Sequence, residues 1–413
     1  MTALEQMGQQ AKTASRKLLG LQQSRNAALL AISEALREQQ GNILTANEQD
    51  LQQARQNGMS QSLMDRLTLT PERIEGMAKG VEQIAMQKDP IGTVVEGGQL
   101  TNGLKIEKVR VPLGVIGIIY EARPNVTADA AALCLKAGNV VILRGGKEAF
   151  QSNQCITNIM RYAIASEGLP ADCIQLVQDT SRESAREMMA LTGYLDVLIP
   201  RGGAGLIRSV VENSRVPVIE TGAGNCHVYV DESADLAMAA DIIFNAKTTR
   251  PSVCNAIETI LVHEKVAEKA LPRIAEKLGE KNVRLHGCER TCAVLPQAIP
   301  ATEQDWATEY LDFELAVRVV PSITEAMEHI ATYSTGHSEC IVTENFRNAQ
   351  LFTAQVDSAA VYVNASTRFT DGGEFGMGAE IGISTQKLHA RGPMGVEQLT
   401  STKFIIQGDG QVR

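Results

Sequence analysis

The chain has 413 residues, 44% hydrophobic and 21% charged, which is enough for two cores and ordinary for a globular protein. A net charge of −9 with no basic block argues against nucleic acid or an anionic membrane as partner. Eight cysteines are too sparse for a disulfide scaffold, the first residues hold no apolar signal core, and no run approaches a membrane span, so a cytoplasmic protein is expected.

Residues 1–90 read as helices. Leu29, Ile32 and Leu36 recur at helical spacing, and Gly41 offers a stop. Residues 91–112 change character: Ile91-Gly-Thr-Val-Val is followed by alternation from Leu104 to Val111. Gly97, Gly98 and Asn102-Gly103 punctuate the stretch, so strands and a hairpin are expected.

From Val115 short apolar runs alternate with helix-like stretches: Val115–Tyr120, Asn139–Arg144, Asp196–Ile199, Val216–Ile219 and His227–Val230. A second series comprises Ile257–Val262, Ala316–Val320, Cys340–Thr343 and Ala360–Val363. This is the pattern of parallel βαβ units and predicts an α/β chain of two domains meeting near residue 222.

Two glycine-rich turns follow strands of the first domain: Arg144-Gly145-Gly146-Lys147 and Arg201-Gly202-Gly203. Glycine lets the backbone approach a phosphate at a helix N-terminus, but Arg208 stands where a dinucleotide fingerprint has its third glycine. Each turn alone is simple strand-to-helix punctuation. Two in one sheet, beside Arg144, Lys147 and Arg201, put a nucleotide site on an equal footing, and the cations suit the 2′-phosphate of NADP.

Asn125 follows a strand directly and is either a cap after Pro124 or an amide aimed at an oxyanion. Glu220 ends another run and is either a surface carboxylate or a general base. Cys254 lies in Thr248-Thr-Arg-Pro-Ser-Val-Cys-Asn, a polar loop in which Arg250 favours a thiolate; the competing reading is a small core residue. His286, Cys288 and Cys292 form a zinc-like half-site without a second pair at ligand spacing, so no metal is expected. The long polar segment Tyr362–Gly378 reads as a binding loop in which Arg368 can take a carboxylate or phosphate.

Six stretches carry a wider resemblance: Tyr120-Glu-Ala-Arg-Pro-Asn-Val-Thr, Leu143-Arg-Gly-Gly-Lys-Glu, Leu198-Ile-Pro-Arg-Gly-Gly-Ala-Gly-Leu, Ala246-Lys-Thr-Thr-Arg-Pro-Ser-Val-Cys-Asn, Val361-Tyr-Val-Asn-Ala-Ser-Thr-Arg-Phe-Thr-Asp-Gly-Gly and Ser384-Thr-Gln-Lys-Leu-His-Ala-Arg-Gly-Pro-Met-Gly. Through them the chain resembles the aldehyde dehydrogenase superfamily, and within it the branch that reduces acyl phosphates. The resemblance implies a fold of two Rossmann-type α/β domains plus a small β oligomerisation arm. The nucleotide domain would span 1–222 with 91–112 in the arm. The catalytic domain would span 223–390, and 391–413 would return to the arm.

The resemblance makes Cys254 the nucleophile and Asn125 the oxyanion donor. Glu220 stands at the base position, 254 − 220 = 34 residues before the thiol. It places Arg144 where the superfamily carries a Lys at the adenosine ribose, and Asp312 near its acid for the nicotinamide ribose. The implied activity is NADPH-dependent reduction of glutamyl 5-phosphate to glutamate 5-semialdehyde in proline biosynthesis. Arg250 and Arg368 would take the anions of that substrate; Glu374 and Glu220 would take its ammonium. A homo-oligomer, dimer or larger, is implied, and the lability of the acyl phosphate suggests a complex with glutamate 5-kinase. The competing activity is a hydrolytic NAD(P)-dependent semialdehyde dehydrogenase, which Glu220 favours.

Overall fold

A computed structural model describes residues 1–413, the Ser62 side chain excepted. The chain divides into two compact units: Met1–Thr221, Gly376–Gly382 and Met394–Arg413 in the first, Gly222–Phe375 and Ile383–Pro393 in the second. Gly376–Gly382, which the sequence reading placed in the catalytic domain, thus belongs with the first unit.

The first unit begins with five helices, α1 (Ala3–Leu18), α2 (Ser24–Glu38), α3 (Gln40–Gln56), α4 (Gln61–Leu67) and α5 (Pro71–Met86). Thr2 and Glu5 form a capping box at the start of α1, and Thr70 with Pro71 at N1 starts α5. Leu29, Ile32 and Leu36 are fully buried on α2, as their spacing predicts. Gly41 is not the stop: α2 ends at Glu38, the chain turns at Gln39 (φ −93°, ψ 15°), and Gly41 lies in the first turn of α3.

Next come β1 (Val94–Gln99) and β2 (Lys105–Pro112), then β3 (Val115–Tyr120), α6 (Asn125–Lys136), β4 (Val140–Arg144), α7 (Phe150–Ser166), β5 (Ile174–Leu176), α8 (Arg182–Met189), β6 (Val197–Arg201) and α9 (Ala204–Asn213). The parallel sheet has the order β5-β4-β3-β6. All of β3 and nearly all of β4 are buried, which is why both read as unbroken apolar runs. Val216–Ile219 is not a strand; it makes one bridge, Val218 to Leu198, at the sheet edge. The first unit also holds a three-stranded antiparallel sheet in which β2 pairs β1 on one side and Thr400–Gln407 on the other.

The second unit is built on a seven-stranded parallel sheet. Its strands are β7 (Cys226–Val230), β8 (Ile257–His263), β9 (Arg284–Gly287), β10 (Ile299–Pro300), β11 (Glu314–Val320), β12 (Ser338–Val342) and β13 (Ala360–Val363), in the order β10-β9-β11-β8-β7-β12-β13. Successive residues feed opposite layers. Val228, Val230, Ile260 and Val262 pack into one apolar cluster, while Tyr229 and Leu261 pack with Phe352 and Ile341 into the other. Helix α10 (Leu236–Thr248), capped by Asp235, delivers the chain to the loop before β8. No helix among the described residues is long and apolar enough to cross a membrane.

Candidate active site

In the second unit, residues 249–256 join α10 to β8 and carry Cys254, which is half-buried. The two ends of this loop are tied by a buried ion pair: Lys247 Nζ, on the last turn of α10, is 2.6 Å from Glu258 Oε2 on β8. Burial pushes the Glu258 carboxyl up to about 7, against the pull of Lys247, and lowers the Lys247 ammonium from its usual value. Glu258 Oε1 also accepts the backbone N–H of Leu311 at 3.2 Å.

The backbone of Cys254 is gripped from several sides. The buried Cys226 thiol donates to the Cys254 carbonyl at 3.1 Å. A Cβ added at Gly224 would overlap that carbonyl and stand 2.6 Å from the Cys254 Cα. Gly224 is itself fixed, its N–H donating to Glu309 Oε1 at 2.8 Å. The next residue, Asn255, is buried and donates to the carbonyl of Thr370 at 2.9 Å, while Thr367 Oγ1 donates to the Asn255 carbonyl at 2.7 Å. The Arg368 guanidinium bonds the Asn255 side-chain oxygen. Thr367, Arg368 and Thr370 of the Tyr362–Gly378 segment thus all bond to Asn255, the residue that follows Cys254.

Arg368 also senses the charges around the thiol. Burial lowers its guanidinium from the usual value; Asp371, Cys254 and Glu374 oppose that shift and Arg250 adds to it. Its Nε is buried with no hydrogen-bond partner. The structure thus gathers Cys254, Arg250, Arg368 and Glu374 in one electrostatic neighbourhood. Asp312 is exposed, and its carboxylate accepts the N–H of the next residue, Phe313, at 2.8 Å. Glu309, three residues earlier, is the acid joined to the Gly224 turn, and the sequence reading passed over it.

The first unit holds Asn125, Glu220 and both glycine turns. Asn125 opens α6 and its Nδ2 donates to Asp129 Oδ2 at 3.0 Å. Glu220 is half-buried beyond the edge bridge. Gly202 and Gly203 precede α9, and the Gly203 N–H donates to Glu121 Oε2 at 2.9 Å. A Cβ at Gly202 would stand 2.5 Å from the same oxygen. Arg201 is half-buried and Lys147 exposed.

At the other turn, Gly145 lies against Asn153 and is 3.1 Å, measured from an added Cβ, from the Tyr120 hydroxyl; Gly146 lies against Glu148. Arg144 donates through Nη2 to the carbonyls of Thr180 and Ser181, both at 2.7 Å, and its buried Nε has no partner. These features fit a dinucleotide phosphate. An anionic oxygen, that of Glu121, already sits on the N–H at the start of α9, the kind of place a phosphate oxygen takes, while the space beside Gly145, Gly146 and Gly202 is filled by the side chains of Asn153, Glu148 and Glu121.

A family model described as "Aldehyde dehydrogenase family" matches residues 2–301. Over the whole length, the chain is 61% identical to the gamma-glutamyl phosphate reductase of Moorella thermoacetica, covering 98% of this chain and 97% of that one. It is 59% identical to the enzyme of the same name from Carboxydothermus hydrogenoformans, covering 98% of each. The crystal structure of gamma-glutamyl phosphate reductase from Thermotoga maritima superposes with a TM-score of 0.97 at 49% identity and covers 100% of both chains. The chain belongs to the aldehyde dehydrogenase family and, within it, to the gamma-glutamyl phosphate reductases.

Proposed function

We propose that the protein reduces L-glutamyl 5-phosphate to L-glutamate 5-semialdehyde and phosphate, with Cys254 as the nucleophile. The observation that carries this reading is the setting of Cys254 in the second unit, half-buried, with the Arg368 guanidinium close enough to feel its charge together with those of Asp371, Arg250 and Glu374. Cations hold a thiol as the reactive thiolate and attract a phosphorylated acyl group.

In the proposed cycle the Cys254 thiolate attacks the acyl carbon. The S–C bond forms as the C–O bond to phosphate breaks, and inorganic phosphate leaves with that electron pair. Asn125 donates an N–H to the developing oxyanion, a contact typically worth about 3 kcal/mol in rate. The product is a thioester on Cys254. When bound, NADPH supplies the hydride that reduces this thioester. Collapse of the thiohemiacetal oxyanion then releases the aldehyde and returns the thiolate, so no proton need be added at sulfur. Arg250 and Arg368 hold the substrate carboxylate and phosphate, and Glu374 the ammonium. Glu220 is assigned to the ammonium as well, because a carboxylate that activated water would hydrolyse the thioester.

The aldehyde dehydrogenase family works with nicotinamide dinucleotides, and the finer assignment here is NADPH. Gly202 and Gly203 would hold its phosphates at α9. Arg144, Gly145, Gly146 and Lys147 would hold its adenosine end, with Arg201 adding positive charge. Asp312 is retained for the nicotinamide ribose only through its place in the resemblance. The antiparallel sheet of the first unit is assigned to self-association, supported by Phe404 and Ile406, which are 63% and 60% exposed.

The test is NADP⁺ reduction by glutamate 5-semialdehyde with and without inorganic phosphate, with Cys254→Ser as control. Strict dependence on phosphate, abolished in the control, is expected. Turnover to glutamate without phosphate, lost in Glu220→Gln, would replace this function with hydrolytic oxidation.

A further inference from the structure

Asp129 is a carboxylate that the proposed chemistry leaves without a task. It stands one helical turn after Asn125 on α6, the i,i+4 spacing that brings two side chains together. Asn125 Nδ2 donates to its Oδ2 at 3.0 Å. The first turn of the helix is fixed independently: the Tyr120 and Thr127 hydroxyls are 2.7 Å apart, and Thr127 donates to Asn153 Oδ1 at 3.0 Å. What these bonds leave to be set is which way round the Asn125 carboxamide stands.

A carboxamide presents a donor end and an acceptor end of nearly the same shape, and only the donor end stabilises an oxyanion. A backbone amide or a hydroxyl beside Asn125 could leave it either way round. A carboxylate accepts and never donates, so it selects the orientation with nitrogen turned towards it. The NH2 group has two hydrogens, so one N–H stays on Asp129 and the second remains to donate. Burial pushes the Asp129 carboxyl up to about 6, and the Asn125 hydrogen bond and Arg201 oppose that shift by favouring the ionised, acceptor-only form.

We propose that Asp129 is a positioning residue for the reaction, fixing the Asn125 amide so that an N–H faces the oxyanion formed during acyl transfer. The inference rests on the reading of Asn125 as the oxyanion donor. A carboxylate that instead held the substrate ammonium would leave a different kinetic mark, in KM rather than kcat.

The experiment is a double-mutant cycle in the phosphate-dependent NADP⁺ assay, using Asn125→Ala, Asp129→Ala, Asp129→Asn and the double alanine variant. Asp129→Ala is expected to lower kcat about tenfold with KM little changed, less than the roughly hundredfold cost of a 1 Å misplacement because Asn125 itself stays in place. Asp129→Asn keeps an acceptor oxygen and is expected to fall less; it carries the same comparison if the alanine variant does not fold. In the Asn125→Ala background, Asp129→Ala is expected to have no further effect, because the two act as one. An equal loss in both backgrounds, or a rise in KM alone, overturns the proposal. If Asn125→Ala keeps full kcat, the oxyanion assignment itself fails and this inference falls with it.

Discussion

Gly224 and Cys254 pack backbone to backbone, so closely that no side chain fits between them. Cys226, two residues after the glycine, adds a thiol hydrogen bond to the same Cys254 carbonyl. Cys254, the proposed nucleophile, is thus placed by groups to which the proposal gives no chemistry. Any Cβ at position 224 must displace the Cys254 backbone, since what it meets is main chain rather than a yielding side chain.

Gly224→Ala is therefore expected to reduce turnover about a hundredfold, the scale of loss from roughly 1 Å of misplacement at a reacting atom. The rate of Cys254 alkylation by iodoacetamide should change with it. Wild-type turnover together with wild-type alkylation would show that the loop tolerates the shift.

The ion pair below the loop gives a second expectation. Lys247 and Glu258 are both fully buried, so removing one partner leaves the other uncompensated. Breaking such a pair typically costs about 3–5 kcal/mol, whereas replacing both partners with apolar groups costs far less. Glu258→Gln, which strands an ammonium, should lower the urea midpoint markedly, and Lys247→Met/Glu258→Leu should recover most of the loss. Strict additivity of the two single substitutions would mean that the pair is not energetically coupled.

How far the residues announced this arrangement depends on the range of the interaction. Cys254 stands out in the sequence as a candidate because its loop is polar and Arg-bearing and stands directly before the apolar run of β8. The parallel strands were legible because burial on both faces writes them as unbroken apolar runs. Ile174–Leu176 was missed because it is three residues long with Gln175 at its centre. Val216–Ile219 was over-read: its apolar residues pack at the sheet edge, where it makes a single bridge. Gly224, Cys226 and Glu309 carried no local mark at all, since their importance comes from contacts with segments far along the chain. Asp129 is different. Its four-residue spacing from Asn125 is a helical signal present in the sequence and unused.

Two buried histidines of the second unit contribute stability that is lost in acid. Burial lowers His329 to about 3, with the charges of His227 and Arg318 acting in the same direction, and burial lowers His337 to about 4. Arg318 donates to His329 Nδ1 at 3.0 Å, which suits the neutral ring. Both values lie below the unfolded value of about 6.5, so between the two the unfolded chain binds more protons than the native one. The contribution of the two rings should be flat above about pH 6.5 and should fall as pH drops towards 4, by up to about 1.4 kcal/mol per pH unit for each, while the raised carboxyls of Glu258 and Asp129 change in the opposite sense over the same window. The urea midpoint of the wild type relative to that of His329→Gln should fall as pH drops across this window, because the carboxyl contributions are common to both. A slope unchanged in that variant would assign the acid limb to other groups.

Glu121 gives the last prediction, on affinity for the proposed cofactor. Its carboxylate accepts the Gly203 N–H at the start of α9, the position assigned to a dinucleotide phosphate, so ligand and side chain compete for one donor. Binding must displace Glu121, and two anions at one helix terminus repel. Glu121→Gln keeps the shape and removes the charge, so NADPH should bind roughly three- to tenfold more tightly, a gain of about 0.7–1.4 kcal/mol. The measurement is a fluorescence titration of NADPH on the purified protein at two salt concentrations. The gain should shrink at high salt, because a charge at the surface is screened. Weaker binding in Glu121→Gln would show instead that the carboxylate supports the bound dinucleotide, and the phosphate would have to lie elsewhere.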